Sequence, residues 1–376
     1  MGGSFKFGRI FGIDIKVHFT FLFILIWGAL NYGGSAGPLY GILVTLALFS
    51  LVLLHELGHS LAAMAYGIPV KDITLLPIGG VARLERMPKQ PIRELVVALA
   101  GPFVNVVLAL LLLPIILLLF PGTFGTFSFR LLTEPGLLGL LAFMLSANIS
   151  LAVFNMLPAF PLDGGRVLRA TLGFFTSAHR ATKIAVTIGQ ILAFGLIGLA
   201  IYSQYTFGAS QFILILIGIF ILLAGRQEGQ AADIRNKLNR LQAGQILKSN
   251  RITLSPDATV GQIASLVLSG QQADFAIVDA INGDLLGITN GKTIAQALAE
   301  GHWYRRITEV MQHAPTIPTV HPSMPLGDVQ EKLTEKSKRV AAVYDGINFR
   351  GLISLDDIYL AFNMMPKNGG FAQQQI

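Results

Sequence analysis

Six stretches of this chain, roughly residues 17–32, 39–66, 95–120, 136–157, 184–203 and 210–225, are apolar almost without interruption. A helix needs about 20 such residues to cross the hydrocarbon core of a bilayer, and lipid offers an exposed peptide group no partner. Stretches of this length therefore restrict the first part of the chain to a bundle of membrane-crossing helices. Composition agrees, since 53% of the 376 residues are hydrophobic and 13% charged, with a mean hydropathy of +0.62, which ordinary soluble domains do not reach. Beyond about Arg226 the composition returns to that of a soluble domain. The expected organisation is a membrane domain at 1–226, a linker at 227–243 and a soluble domain at 244–376 that ends in a disordered tail.

Charge orders the spans. Lys6, Arg9 and Lys16 lie before the first stretch; Lys71, Arg83, Arg86, Lys89 and Arg93 follow the second; Arg166, Arg169, Arg180 and Lys183 follow the fourth. The loops near 33–38, 121–135 and 204–209 contribute Arg130 alone. By the positive-inside rule, both termini and the basic loops are expected on the cytoplasmic side of a cell or organelle membrane. The net charge of +7 then reflects topology, because the basic residues flank hydrophobic segments and form no aromatic-interleaved patch for nucleic acid. The absence of cysteine excludes disulfides, thiolate ligands and a cysteine nucleophile. Residues 1–16 show no small-residue cleavage site, so a removed signal peptide is not expected.

The second stretch contains His55-Glu56-Leu57-Gly58-His59 and no other charged side chain between Leu39 and Lys71. On a helix, His55 and His59 share one face and can hold one Zn²⁺, while Glu56 handles protons. Such side chains are costly in lipid unless they face a bundle interior and act there. A hydrolytic zinc usually carries three protein ligands, so one more is needed. Asp163, at the cytoplasmic end of the fourth stretch, is expected at a depth similar to that of His59. Pro158 and Pro161 interrupt the helix before it, and Gly164-Gly165 are expected to supply unusual backbone angles that turn the carboxylate inward. A cap on that turn is the plainer role for Asp163. Lys71 to Glu85, with β-branched residues on either side of Pro77-Ile78-Gly79-Gly80, reads as a membrane-associated β-hairpin whose edge suits an extended peptide.

HELGH in one span and Asn155-Met156-Leu157-Pro158-Ala159-Phe160-Pro161-Leu162-Asp163-Gly164-Gly165 in a later one resemble the motifs of site-2 protease intramembrane zinc metalloproteases. Ala100-Gly101-Pro102-Phe103-Val104-Asn105 is similar to the GxxxN element of that family's third span. The resemblance implies one catalytic zinc on His55, His59 and Asp163, with Glu56 as general acid and base. It also places Asn105, Asn155 and Pro158 beside the active site, although both asparagines equally suit interhelical hydrogen bonds. The implied substrate is a transmembrane protein segment that must unwind before it is cut. His18 reads as an interfacial residue.

In the soluble domain, Thr253 to Val260 parallels Thr319 to Leu326, and each is followed by a similar helix and strand order. Units at 244–300 and 307–362 resemble a tandem CBS pair, a regulatory fold that often binds ATP, ADP or AMP. Gly351, Ser354 and Asp357 match that family's nucleotide motif, whereas Gly287, Asn290 and Thr293 depart from it. Ser354 and Asp357 also suit a helix cap. The resemblance leaves room for self-association through the CBS pair. Two other functions are compatible with these features: a metal-binding membrane scaffold that does not cut, and a CBS-gated transporter.

Overall fold

A computed structural model describes residues 3–85, 88, 90–121, 135–207, 211–247, 252–269 and 273–365. The tail expected beyond Met365, and Arg86, Lys89 and Arg130 among the topology residues, lie outside the described residues. The chain divides into two compact units, Met1–Ala232 and Asp233–Ile376.

The first unit begins with strands β1 (Ser4–Ile10) and β2 (Ile13–His18), followed by helices α1 (Phe21–Asn31) and α2 (Pro38–Ala65). A β-hairpin of β3 (Val70–Leu76) and β4 (Gly79–Leu84) precedes α3 (Pro91–Leu119), α4 (Leu137–Asn155), α5 (Asp163–Gly173), α6 (Ala178–Phe207) and α7 (Phe212–Leu238). Five of these helices, α2, α3, α4, α6 and α7, are long and apolar enough to cross a membrane. The first expected span is not one of them. Its helix α1 has 11 residues, a length of about 16 Å and roughly half a bilayer core. Residues up to His18 belong instead to strand β2, because Ile13, Ile15 and Val17 alternate with Asp14 and Lys16.

The residues before the first span thus do more than set topology. They form a sheet in the order β1-β2-β3-β4, in which β2 and β3 run parallel and the other pairs antiparallel. A two-residue turn joins β1 to β2 with Phe11 at φ 50° and Gly12 at φ 83°, as a tight hairpin turn requires. Ile13, Ile15 and Ile73 of this sheet are fully buried and pack with Leu57 of α2. Burial of that order, about 1.5–3 kcal/mol per side chain, seats the sheet on the stretch of α2 that carries the HExxH. Across the same sheet, Asp72 is 2% exposed and accepts hydrogen bonds from Lys16 Nζ at 2.7 Å and from Arg83, through Nε at 2.7 Å and through Nη2. The Arg83 and Lys16 donors hold its carboxyl down at about 2.

In the second unit, β5 (Thr253–Leu254), α8 (Val260–Leu268), β6 (Asp274–Val278), β7 (Leu285–Asn290) and α9 (Gly291–Ala299) form a first module. After β8 (Gln312–His313), a second module comprises β9 (Thr319–Val320), α10 (Leu326–Glu335), β10 (Val340–Asp345), β11 (Asn348–Ser354) and α11 (Leu355–Met364). The modules interlock through β8, which pairs with β7, and through a shared core of Ala276, Leu285 and Ile288 with Val340, Ala342 and Leu352. Within the segment 227–243, helix α7 continues to Leu238. Leu238 and Ala243 lie in the second module's core.

Candidate metal centre

Three elements bring the site together. His55 and His59 lie one turn apart on α2, buried at 5% and 8% exposure, and Asp163 opens α5 at 8% exposure. The two Nε2 atoms are 3.1 Å apart, and Asp163 Oδ2 lies 3.2 Å from that of His55 and 3.1 Å from that of His59.

The other face of each imidazole explains what these atoms can do. His59 Nδ1 is 2.7 Å from the backbone oxygen of Val97, and His55 Nδ1 is 2.5 Å from Oδ1 of Asn105. Both oxygens only accept, so each Nδ1 carries a proton, and in the neutral imidazole each Nε2 then presents a lone pair. Two Nε2 atoms and a carboxylate oxygen thus converge, an arrangement that a bound cation stabilises. About 3.3 Å separates the ligands of a tetrahedral zinc with bonds near 2.05 Å, close to the separations here. The donor set of two imidazoles and one carboxylate suits Zn²⁺ and leaves a fourth position for water.

Glycine decides how closely the parts approach. A Cβ on Gly101 of α3 would stand 2.2 Å from His59 Nε2, and one on Gly58 of α2 would stand 2.7 Å from the Ala100 oxygen. Gly101 and Asn105 are thus one turn apart on α3, the first making room for His59 and the second bonding His55. Gly164 and Gly165 act in the same way and not as expected. Neither is among the residues with positive φ. A Cβ on them would fall 2.3 Å from the Leu157 oxygen and 2.7 Å from Ala159, so they allow α5 to start against the segment that precedes it.

Glu56 is half-buried on α2 beside His55. The β3–β4 hairpin covers it, as a Cβ on Gly80 would be 2.7 Å from Glu56 Cγ. Gly80 of β4 therefore lies against the Glu56 side chain. Asn155 closes α4, and exposed Pro158 precedes the buried Ala159 and Phe160 in the segment leading to Asp163. Among the described residues, the polar partners of the three ligand side chains outside their own cluster are Asn105 and Val97. His18 is bonded to the Thr20 hydroxyl at 2.7 Å and takes no part in the cluster.

Sequence reasoning did not find Asn148. It is fully buried on α4, and its Oδ1 accepts from Asn105 Nδ2 at 2.9 Å. An asparagine in the middle of an apolar span was the available signal.

The model of Peptidase family M50 matches residues 43–130 and 122–196, and that of the CBS domain matches residues 307–363. A protein of Methanocaldococcus jannaschii named as a zinc metalloprotease is 29% identical over 366 residues, 97% of this chain and 98% of the relative. A Synechocystis protein whose printed name is "Putative zinc metalloprotease" is 30% identical over 356 residues, 89% of this chain and 90% of the relative. The chain belongs to the M50 family of site-2 proteases. As an M50 member it is a membrane metallopeptidase, here carrying a CBS domain. The solved site-2 protease of Methanocaldococcus jannaschii is 34% identical, with a TM-score of 0.43 over 60% of this chain and 95% of that one.

At the start of α11, Ser354 and Asp357 are both buried. The Ser354 amide and hydroxyl donate to Asp357 Oδ2 at 2.9 and 2.6 Å, and the Asp357 amide donates to Ser354 Oγ at 3.1 Å, forming a capping box. Gly351 has φ 145°, a conformation that favours glycine. In the first module, Asn290 caps α9 through the Thr293 amide at 2.9 Å.

Proposed function

We propose that this protein is an intramembrane endopeptidase that hydrolyses peptide bonds in or near transmembrane segments of membrane-anchored proteins, under modulation by adenine nucleotides at the CBS pair. The observation that carries the first part is the convergence of two Nε2 atoms and the Asp163 carboxylate beside Glu56, within helices of membrane length. His55, His59 and Asp163 would hold Zn²⁺, which when bound would supply Lewis acidity and lower the pKa of a water toward 7. Glu56 is placed to take a proton from the water that attacks the peptide carbonyl and to return it to the leaving amine.

Substrate handling follows from the sheet. β4 is its last strand, so among the described residues one edge has no strand partner. A transmembrane segment that unwinds can add to this edge through main-chain hydrogen bonds. Gly80 of the same strand lies against Glu56, which brings the paired segment to the proton-handling group. Asn155 and Pro158 lie on the approach to Asp163 and line the site. The distribution of basic residues supports cytoplasmic termini and a site in the inner part of the bilayer.

Glu56→Gln tests this reading, because it removes the base and keeps the ligands. The expected result is loss of cleavage of a membrane substrate with zinc content unchanged, and accumulation of uncut substrates in the membrane proteome. Cleavage at the wild-type rate in that variant refutes it. A scaffold that binds membrane segments without cutting them would be indifferent to Glu56. For the CBS pair, Gly351, Ser354 and Asp357 support one nucleotide per pair, the hydroxyl meeting phosphate and the carboxylate the ribose. A cleavage rate that responds to ATP, ADP or AMP in wild type and not in Asp357→Ala is expected. A flat response in both proteins refutes modulation.

A further inference from the structure

We infer that Asn148, which lies outside both protease motifs, is a positioning residue that fixes the tautomer of the metal ligand His55 through Asn105. The inference rests on the metal-site reading and extends it to a residue on another helix.

The polarity of the chain of bonds is forced from one end. Asn148 Nδ2 is 2.9 Å from the backbone oxygen of Met144, four residues earlier on α4. A carbonyl oxygen accepts and cannot donate, so the Asn148 amide has only one orientation with a bond there. Its Oδ1 must then face Asn105, whose Nδ2 donates to it at 2.9 Å. Asn105 is thereby turned with its own Oδ1 toward His55 Nδ1, at 2.5 Å. Only a protonated Nδ1 can meet an amide oxygen, which leaves Nε2 free to face His59 and Asp163.

Turning the Asn148 amide over would set two oxygens together at Met144 and two NH₂ groups together at Asn105. Both asparagines are fully buried, so no water relieves those contacts, and each unsatisfied group costs about 1–3 kcal/mol. His59 reaches the same end directly, through the Val97 oxygen at 2.7 Å. His55 receives the instruction of a backbone carbonyl through two amides, from α4 by way of α3.

The test uses full-length protein with ¹⁵N-labelled histidine, stripped of metal, with His55→Gln to assign the resonances. Wild type is expected to show His55 and His59 as single Nδ1–H tautomers. In Asn148→Ala, Asn105 is released, His55 becomes a mixture and His59 is unchanged. Zinc affinity falls about 10- to 100-fold, the range for loss of an outer partner of a ligand. Asn148→Asp is expected to restore both properties, because a neutral carboxyl can donate to the Met144 oxygen and still accept from Asn105 Nδ2.

Two results overturn the inference: a wild-type His55 spectrum in Asn148→Ala, or equal loss in the Ala and Asp variants. A parallel change at His59 also overturns it, since that would be general disruption of the bundle. Should the Ala variant fail to fold, the Asp variant still decides, as a scrambled His55 tautomer there refutes the relay. Failure of the wild-type protein to bind zinc would remove the metal-site reading and leave the tautomer measurement intact.

Discussion

Replacing Gly101 by alanine adds one methyl group and is expected to disable the metal centre. The new Cβ would lie 2.2 Å from His59 Nε2, 2.6 Å from Cε1 and 2.7 Å from Cδ2. Normal carbon contacts begin near 3.5 Å, so the imidazole or helix α3 must move by roughly 1 Å. The ring cannot retreat alone, because Val97 of the same helix holds its Nδ1 at 2.7 Å. Metal–ligand distances tolerate about 0.2 Å, so such a displacement removes His59 from coordination. Overpacking of this kind costs about 1–3 kcal/mol, or roughly 5- to 150-fold in zinc affinity at 1.4 kcal/mol per tenfold. Intrinsic propensity predicts the opposite sign, since Gly→Ala inside a helix stabilises by up to about 1 kcal/mol. Gly195→Ala in α6 is the control, as a Cβ there meets nothing within 4 Å. Competition of each purified variant against a fluorescent zinc chelator gives the affinity, and thermal unfolding gives the stability. Zinc affinity of Gly101→Ala equal to that of wild type and of the control would refute the argument that glycine is there to admit the imidazole.

Three further outcomes follow from the same geometry. Asp72, held at about 2 chiefly by Arg83, is ionised in the folded protein below the pKa of about 3.9 it has when unfolded. Its contribution, on the order of 2 kcal/mol, is present above pH 4 and lost as pH falls toward 2. The melting temperature of wild type should converge on that of Asp72→Asn over this interval, and a constant gap contradicts the assignment. Arg169 of α5 donates to Glu94 of α3 at 2.6 Å and to Glu228 of α7 at 2.5 Å, and stacks on Phe160 at 5.2 Å. With Arg169 16% exposed and Glu94 14% exposed, Arg169→Ala should cost about 3 kcal/mol in detergent unfolding, Arg169→Lys should recover only part of it, and full recovery by lysine excludes the two-armed geometry. Removing zinc with a chelator should lower the melting temperature reversibly, because the convergent acceptors of His55, His59 and Asp163 lose their cation. At a free zinc concentration of about 100 times Kd the stabilisation is roughly 2.7 kcal/mol, and an unchanged melting temperature would show that the cluster does not bind the ion.

The charged residues near the N-terminus show why part of the fold was hidden. Lys6, Arg9 and Lys16 read as flanks of a membrane span, yet Lys6 pairs with Asp14 at 2.6 Å and Lys16 with Asp72 at 2.7 Å. The alternation of Ile13, Ile15 and Val17 was a legible strand signal. Its partner β3 lies more than fifty residues away and runs parallel, and neither local propensity nor hydropathy specifies such a pairing. Apolar content has the same limit at α1, where it measures a run of residues and not how many of them enter the helix. The β3–β4 hairpin was legible because its turn residues and flanking β-branched side chains are local.

The amino-acid sequence alone determined the chemistry of the centre. Two histidines four residues apart share a helical face by the period of the helix, and a carboxylate behind a proline-interrupted turn offers a third donor beside spans that carry almost no other charge. Tertiary structure decided which nitrogen of each imidazole faces that ligand. The tautomers depend on the Val97 oxygen and on the Asn105–Asn148 relay, acceptors from α3 and α4 whose positions exist only once the helices pack. It also decided what the glycines do: Gly101, Gly164 and Gly165 are defined by the neighbours a Cβ would strike, and those neighbours come from elsewhere in the fold.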